Sequence, residues 1–351
     1  VRTQQFDYYL PKKLIAQKPA SPRDSSRLLL VERETGRLKH AVFRDLVSYL
    51  EPGDCLVINE TKVIPARLKG WKATTRGGVE ILLLSSVDSQ PHSDKNGQRC
   101  RWEALVKPGR RLRPGTEIVF DSPLLRATVD SVLADGRRIV SLDYQGDFQK
   151  ILEEVGEVPL PPYIHNTTVG AQRYQTVYAS KDGSVAAPTA GLHFTPSLLE
   201  ELGKNGVRIA KICLRIGLDS FQPVRTESVE DHQMNQEHFE VTPSCAAIIN
   251  QTIDEGKRVI AVGTSSTRVL ETLAIADGKV RAGEGKTGLF IFPGYRFRVV
   301  DGLITNFHMP RSTHLMLVCA FASPGLIMKV YAEAIREKYR FLSFGDATLI
   351  K

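Results

Sequence analysis

The run Gly263-Thr264-Ser265-Ser266-Thr267-Arg268 follows an apolar stretch, Arg258-Val259-Ile260-Ala261-Val262, and leads into a helical pattern through Leu270 and Leu273. A strand that turns at glycine into a helix leaves unpaired backbone N–H groups beside small hydroxyls, which suits a carboxylate or phosphate. Thr264, Ser265 or Ser266 would serve equally as a plain helix cap. Two histidines stand in unusual settings, His193 in Ala186-Ala187-Pro188-Thr189-Ala190-Gly191-Leu192-His193-Phe194-Thr195 and His308 in Ile304-Thr305-Asn306-Phe307-His308-Met309-Pro310. An imidazole titrates near neutrality, so each is a candidate for proton transfer, and each also fits a structural place in a core. His232, Glu237 and His238 form another polar group, but no HExxH pattern or third ligand makes it a metal site. Gly283-Glu284-Gly285-Lys286-Thr287-Gly288 resembles the end of a P-loop, yet Val280 stands where its first glycine belongs. Lys107, Arg110, Arg111 and Arg113 crowd four cations into a Pro- and Gly-rich loop, which suits phosphate oxygens and also reads as a solvated turn.

The elements that must carry these groups follow from composition and punctuation. At 351 residues, the chain is long enough for about two domains of roughly 150 residues each. A sequence that is 42% hydrophobic and 25% charged excludes wholesale disorder. Lys and Arg outnumber Asp and Glu by 47 to 39, for a net charge of +8 and a pI near 9.2. That balance fits an anionic partner such as nucleic acid, and it also fits an ordinary soluble enzyme. Cys55, Cys100, Cys213, Cys245 and Cys319 are too scattered for a zinc site or a disulfide scaffold. The absence of a signal-like or membrane-length apolar run makes a soluble cytoplasmic protein the expectation. From Leu68 to Val155, short β-rich runs such as Val79–Leu84, Arg101–Val106 and Glu117–Phe120 alternate with Gly, Pro and Asp turns, the grammar of a barrel or a sandwich. Ser85–Gln98 reads as a mobile surface loop within it. Elsewhere helices and strands alternate, with helix starts at Thr195-Pro196 and Thr242-Pro243. The fold expected is α/β: a larger α/β domain of residues 1–67 plus 156–351, with an inserted antiparallel β-barrel-like domain of residues 68–155.

The sequence resembles, along its whole length, the S-adenosylmethionine:tRNA ribosyltransferase-isomerases of queuosine biosynthesis. The resemblance is carried by Phe6-Asp7-Tyr8-Tyr9-Leu10-Pro11, Arg23-Asp24-Ser25-Ser26-Arg27-Leu28-Leu29 and Val57–Leu68 (VINETKVIPARL). Further on it rests on Tyr174-Gln175-Thr176-Val177-Tyr178, the block ending at Thr195, Val262–Arg268, Phe292-Pro293-Gly294-Tyr295, Asp301–Thr313 and Tyr339–Ala347. It implies an α/β domain with an inserted β-barrel-like domain, a cytoplasmic monomer, tRNA as partner, S-adenosylmethionine as co-substrate and no metal. The implied reaction moves and isomerises the donor's ribosyl part onto 7-aminomethyl-7-deazaguanine at the tRNA wobble position. Epoxyqueuosine forms, and adenine and methionine leave.

Carried onto this chain, the resemblance points to His193 and His308 for proton transfer, with Glu237 an alternative base. Thr264, Ser265 and Arg268 would take the donor's methionine carboxylate. Asn59, Arg67, Thr189, Tyr295, Asn306 and Asp346 would orient the ribose, the adenine or the modified base, and Lys107 to Arg113 would hold tRNA phosphates. The chain departs from the family pattern at two places. Arg215-Ile216-Gly217-Leu218-Asp219-Ser220-Phe221 stands for His-Val-Gly-Leu-Gly-Thr-Phe, and Met234-Asn235-Gln236-Glu237 for Met-His-Ser-Glu. Both lose an imidazole, which motivates a rival expectation, a tRNA-binding or chaperone-like relative without turnover. A third expectation, a donor-dependent methyltransferase, lacks the Gly-rich strand-turn such enzymes often carry.

Overall fold

The computed structural model describes residues 1–88, 92–94, 97–165, 170–217 and 223–351. In chain order its principal strands are β1 (Arg27–Val31), β2 (Leu38–Val42), β3 (Cys55–Asn59), β4 (Arg67–Lys72), β5 (Gly78–Ser86), β6 (Gly97–Lys107), β7 (Glu117–Phe120), β8 (Ser122–Val132) and β9 (Arg138–Tyr144). They continue as β10 (Arg208–Leu214), β11 (Glu237–Val241), β12 (Val259–Val262), β13 (Gly283–Thr287), β14 (Gly302–Asn306) and β15 (Ala347–Ile350). The helices are α1 (Phe148–Val155), α2 (Pro196–Lys204), α3 (Pro243–Asp254), α4 (Gly263–Leu273), α5 (Thr313–Ala322) and α6 (Pro324–Arg336). The chain divides into two compact units. The larger holds Val1–Lys62, Pro161–Lys181 and Ala187–Lys351, and the smaller Val63–Leu160 and Asp182–Ala186. The smaller unit starts ahead of Leu68 because Ile64 and Ala66 are already buried in its core, and Ile64 N–H bonds Ser184 O at 3.0 Å.

In the larger unit a mixed sheet runs β13-β11-β10-β3-β12-β14-β15-β1-β2. Successive residues of its central strands feed opposite faces. Cys55 and Val57 join one apolar cluster with α3 to α6, whereas Leu56 and Ile58 join another with Phe43, Leu46 and α2. Both faces are therefore covered, which is why these strands read as continuous apolar runs. Thr195 and Thr242 cap α2 and α3 as expected, accepting from Leu198 and Cys245 N–H at 3.2 Å.

Register fixes where the functional groups gather. Strands β10, β3, β12 and β14 are parallel neighbours, with Ile212 opposite Asn59, Ala261 opposite Val57 and Val262 opposite Ile304. β15 runs against β14, with Ala347 opposite Asn306, and β1 runs with β15, with Leu28 opposite Ala347. The C-terminal ends of four strands and the N-terminal ends of β15 and β1 thus share one edge. Ser26, Asn59, Gly263, Asn306 and Asp346 fall along it, at the position where open α/β sheets bind ligands.

The smaller unit closes six antiparallel strands, β9-β8-β7-β4-β5-β6 and back to β9, into a barrel. Alternate residues Cys100, Trp102 and Ala104 of β6 and Leu125, Ala127 and Val129 of β8 fill its interior. Within the expected loop of residues 85–98, His92–Asp94 forms a short strand on β6, and residues 89–91 and 95–96 lie outside the described residues. Closure demands Gly70: a Cβ there would lie 2.4 Å from Val119 O and 2.9 Å from the Phe120 ring. Gly70→Ala is expected to destabilise the protein by about 1–3 kcal/mol through overpacking. An unchanged urea midpoint would show that β4 and β7 have room to part.

The five cysteines are buried free thiols. Among the described residues no single helix is long and apolar enough to cross a membrane, and no group of three His, Cys, Asp or Glu side chains is placed to hold a metal ion.

Candidate functional site

Along the shared edge, three sequence blocks meet at His193. Its Nδ1 lies 2.7 Å from Ser26 Oγ, and its Nε2 lies 3.1 Å from Asn306 Nδ2. The Thr189 hydroxyl donates to Asn306 Oδ1 at 2.9 Å, which orients the amide so that its NH₂ faces the ring. Nε2 must then accept, and Nδ1 carries the proton and donates to Ser26. The ring stacks on Phe43 at 4.9 Å and is 4% exposed. Burial lowers its pKa to about 4, against a smaller raising effect of Asp346. His193 is therefore a neutral imidazole with both nitrogens committed, a positioning group for Asn306 and Thr189. Asp346 braces the same corner: its carboxylate accepts from Arg27 N–H at 3.0 Å, Arg340 N–H at 2.8 Å and the Arg340 guanidinium at 2.9 Å.

His308, just beyond β14, has Nε2 2.8 Å from Thr305 Oγ1 and its N–H on Tyr331 OH at 2.9 Å, while Tyr8 OH donates to its carbonyl. It is only partly buried and stacks on His314 with ring centroids 5.2 Å apart. Burial first, and then His314, hold its pKa well below the usual histidine value.

His314 also borders a cleft beside the α4 start. Thr264 and Arg268 of α4, Glu237 of β11, Met234, Phe290, Thr313 and His314 line a small cleft. The α4 start and the segment following His308 therefore face one cleft. Gly263 makes the turn at φ +88°, a backbone conformation that side-chain-bearing residues resist. Ser266 and Thr267 spend their hydroxyls on Val262 O and Gly263 O. Thr264 and Ser265, both 8% exposed, make no such hydrogen bond among the described residues and stand at the helix start, where N–H groups point outward.

Arg268 is less available than its place in the motif suggested. Its guanidinium forms an ion pair with Glu237 and donates to Leu289 O at 2.9 Å, and Glu237 also accepts Gly217 N–H at 2.7 Å. Asn59 is a brace between strands: its amide bonds Leu214 O and N–H at 3.0 Å and Thr61 N–H at 3.2 Å. Tyr295 donates to Glu271 of α4 at 3.2 Å. Arg67 belongs to the smaller unit, 3.9 Å from Glu80.

On the barrel, Lys107, Arg110, Arg111 and Arg113 are exposed, and none of them pairs with a carboxylate among the described residues. Buried Arg138 supports their loop from beneath, donating to Gly109 O at 2.6 Å and Leu112 O at 3.1 Å. Of the departures, Arg215 is exposed and its charge, after burial, lowers the pKa of His238. Asn235 and Gln236 are exposed, and Asp219 lies outside the described residues. Sequence reading passed over Ser26, although it sits in a matching block, and over His314, six residues beyond His308.

A larger α/β unit with polar side chains gathered along one sheet edge is joined in sequence to a six-stranded barrel that carries an exposed basic loop. The pattern of the queuosine biosynthesis protein family matches residues 3–350, and the chain belongs to that family. Curated relatives from Symbiobacterium thermophilum, 53% identical over 350 residues, and Moorella thermoacetica, 52% identical over 351, match over the whole of both chains. Both are named S-adenosylmethionine:tRNA ribosyltransferase-isomerase. A crystal structure of an S-adenosylmethionine tRNA ribosyltransferase from Thermotoga maritima is 38% identical, covers 99% of this chain and 100% of its own, and superposes with a TM-score of 0.56.

Proposed function

We propose that this protein is an S-adenosylmethionine:tRNA ribosyltransferase-isomerase. It moves the donor's ribosyl group to the aminomethyl group of 7-aminomethyl-7-deazaguanine at the tRNA wobble position, forming epoxyqueuosine and releasing adenine and methionine. In this reading it works in the cytoplasm as a monomer, with S-adenosylmethionine as co-substrate and no metal. The observation that carries the reading is the cleft in which the α4 start and the segment after His308 face each other, in a chain matched to the family from end to end.

Thr264 and Ser265, with the α4 N–H groups, would receive the methionine carboxylate, and Arg268 would keep Glu237 in place behind them. The donor's sulfonium acidifies the ribose C5′ proton, so the site needs a base for that proton and an acid for the departing adenine. His308 is the proposed group for proton transfer, and His193 holds Asn306 and Thr189 in register. Incubation with S-adenosylmethionine and tRNA bearing the aminomethyl base is expected to release adenine and methionine in equal amounts. The loss of family imidazoles at Arg215 and Asn235 favours a second reading, a tRNA-binding relative without turnover. Binding without adenine would establish it, and S-adenosylhomocysteine would replace both readings with methyl transfer.

A further inference from the structure

The barrel carries two more cations that no motif singled out. Lys72, at the end of β4, reaches the basic loop and donates from Nζ to Arg111 O at 2.6 Å. The chain then turns back tightly, with Arg76 N–H on Lys72 O and Lys72 N–H on Gly77 O, each at 3.0 Å. Ala73 N–H bonds Glu117 O at 3.0 Å, which ties this turn to the start of β7. Arg76 sits at φ +55°, a left-handed position where glycine would be cheaper, and its guanidinium lies 5.7 Å from the Trp71 ring centroid. The turn thus keeps an arginine against its backbone preference and holds the charge over an aromatic face.

Lys72 and Arg76 make no ion pair among the described residues, like the four cations of the neighbouring loop. Glu103 of β6 and Asp135 of the β8–β9 turn are both taken by Arg137 at 2.6 Å. Arg138 is 7% exposed, and its guanidinium donates to the carbonyls of Gly109, Leu112, Gly136 and Arg137, with no carboxylate among the described residues to balance it. A buried cation without a counter-ion raises the potential above it, and an arriving anion offsets its desolvation.

We infer that the β4–β5 turn and the Lys107–Arg113 loop are two walls of one clamp for the phosphate backbone of tRNA, with Lys72 and Arg76 as direct phosphate contacts. The inference rests on the proposed action on tRNA, and binding tests it apart from turnover. The affinity of tRNA for the full chain is measured against salt for wild type, for Lys72→Gln/Arg76→Gln, and for Lys12→Gln/Lys13→Gln, an equal loss of exposed charge on the larger unit. Each lost phosphate contact lowers the slope of log affinity against log salt by about 0.7–0.9, so the first variant is expected to lower it by about 1.5. The second is expected to leave it unchanged. An unchanged slope in the first variant, or an equal fall in both, overturns the clamp. Wild-type binding with a steep slope but no adenine release overturns ribosyl transfer alone and leaves the clamp standing.

Discussion

Glu237→Ala is expected to lower stability by about 3–5 kcal/mol, because it strips the partner from a buried cation rather than removing a surface contact. Glu237 is 5% exposed and the Arg268 side chain 11%. Deleting the carboxylate leaves the guanidinium, among the described residues, with only the carbonyls of Leu289 and Thr287, and it strands the Gly217 N–H. Urea unfolding reads that loss directly. Removing both charges, in Glu237→Leu/Arg268→Met, is expected to recover most of it, since apolar replacement of a whole buried pair is often neutral.

Adenine release separates support from chemistry in the same two variants. Both side chains line the cleft with Thr264 and His314. The double variant is therefore expected to fold and yet lose turnover, assayed well below its unfolding midpoint. If turnover returned together with stability, the pair would be a brace with no part in the reaction.

How much of this was legible beforehand differs from element to element. Buried strands such as β3 and β12, and helices announced by Thr-Pro, have local causes: unbroken apolar runs, and side-chain caps three residues ahead of the N–H they satisfy. Edge strands do not. β2 exposes Lys39 and His40, and β13 is the polar Gly283-Glu284-Gly285-Lys286-Thr287, whose pairing comes from β11 rather than from its own residues. The site divides in the same way. The α4 turn was readable because strand, glycine and hydroxyls are contiguous. The Glu237–Arg268 pair spans 31 positions and the Ser26–His193 bond 167, so neither has a local trace. Asn59 shows the difficulty: a strand-end amide looks the same in sequence whether it serves a ligand or the next strand.

His193 gives the clearest pH signature. Its folded pKa is about 4, whereas an unfolded histidine titrates near 6.5. The unfolded chain therefore binds one more proton than the folded chain between those values, and stability must rise with pH across that window. Above pH 6.5 the contribution is fully present. As the pH falls it is lost at about 1.4 kcal/mol per unit, for about 3 kcal/mol in all by pH 4. His193→Gln keeps a neutral hydrogen-bonding side chain beside Ser26 and Asn306 but cannot take up a proton. It is expected to be less stable than wild type at pH 8, because the stack on Phe43 is lost. The gap should then narrow steadily below pH 6.5, and urea unfolding at half-unit steps would trace it. A gap that stayed constant down to pH 4 would mean that the folded protein lets this ring protonate, with water or a carboxylate at Nε2 in place of the Asn306 amide. The imidazole would then be free to exchange protons with a bound substrate, and the proton-transfer role assigned to His308 would have to be shared.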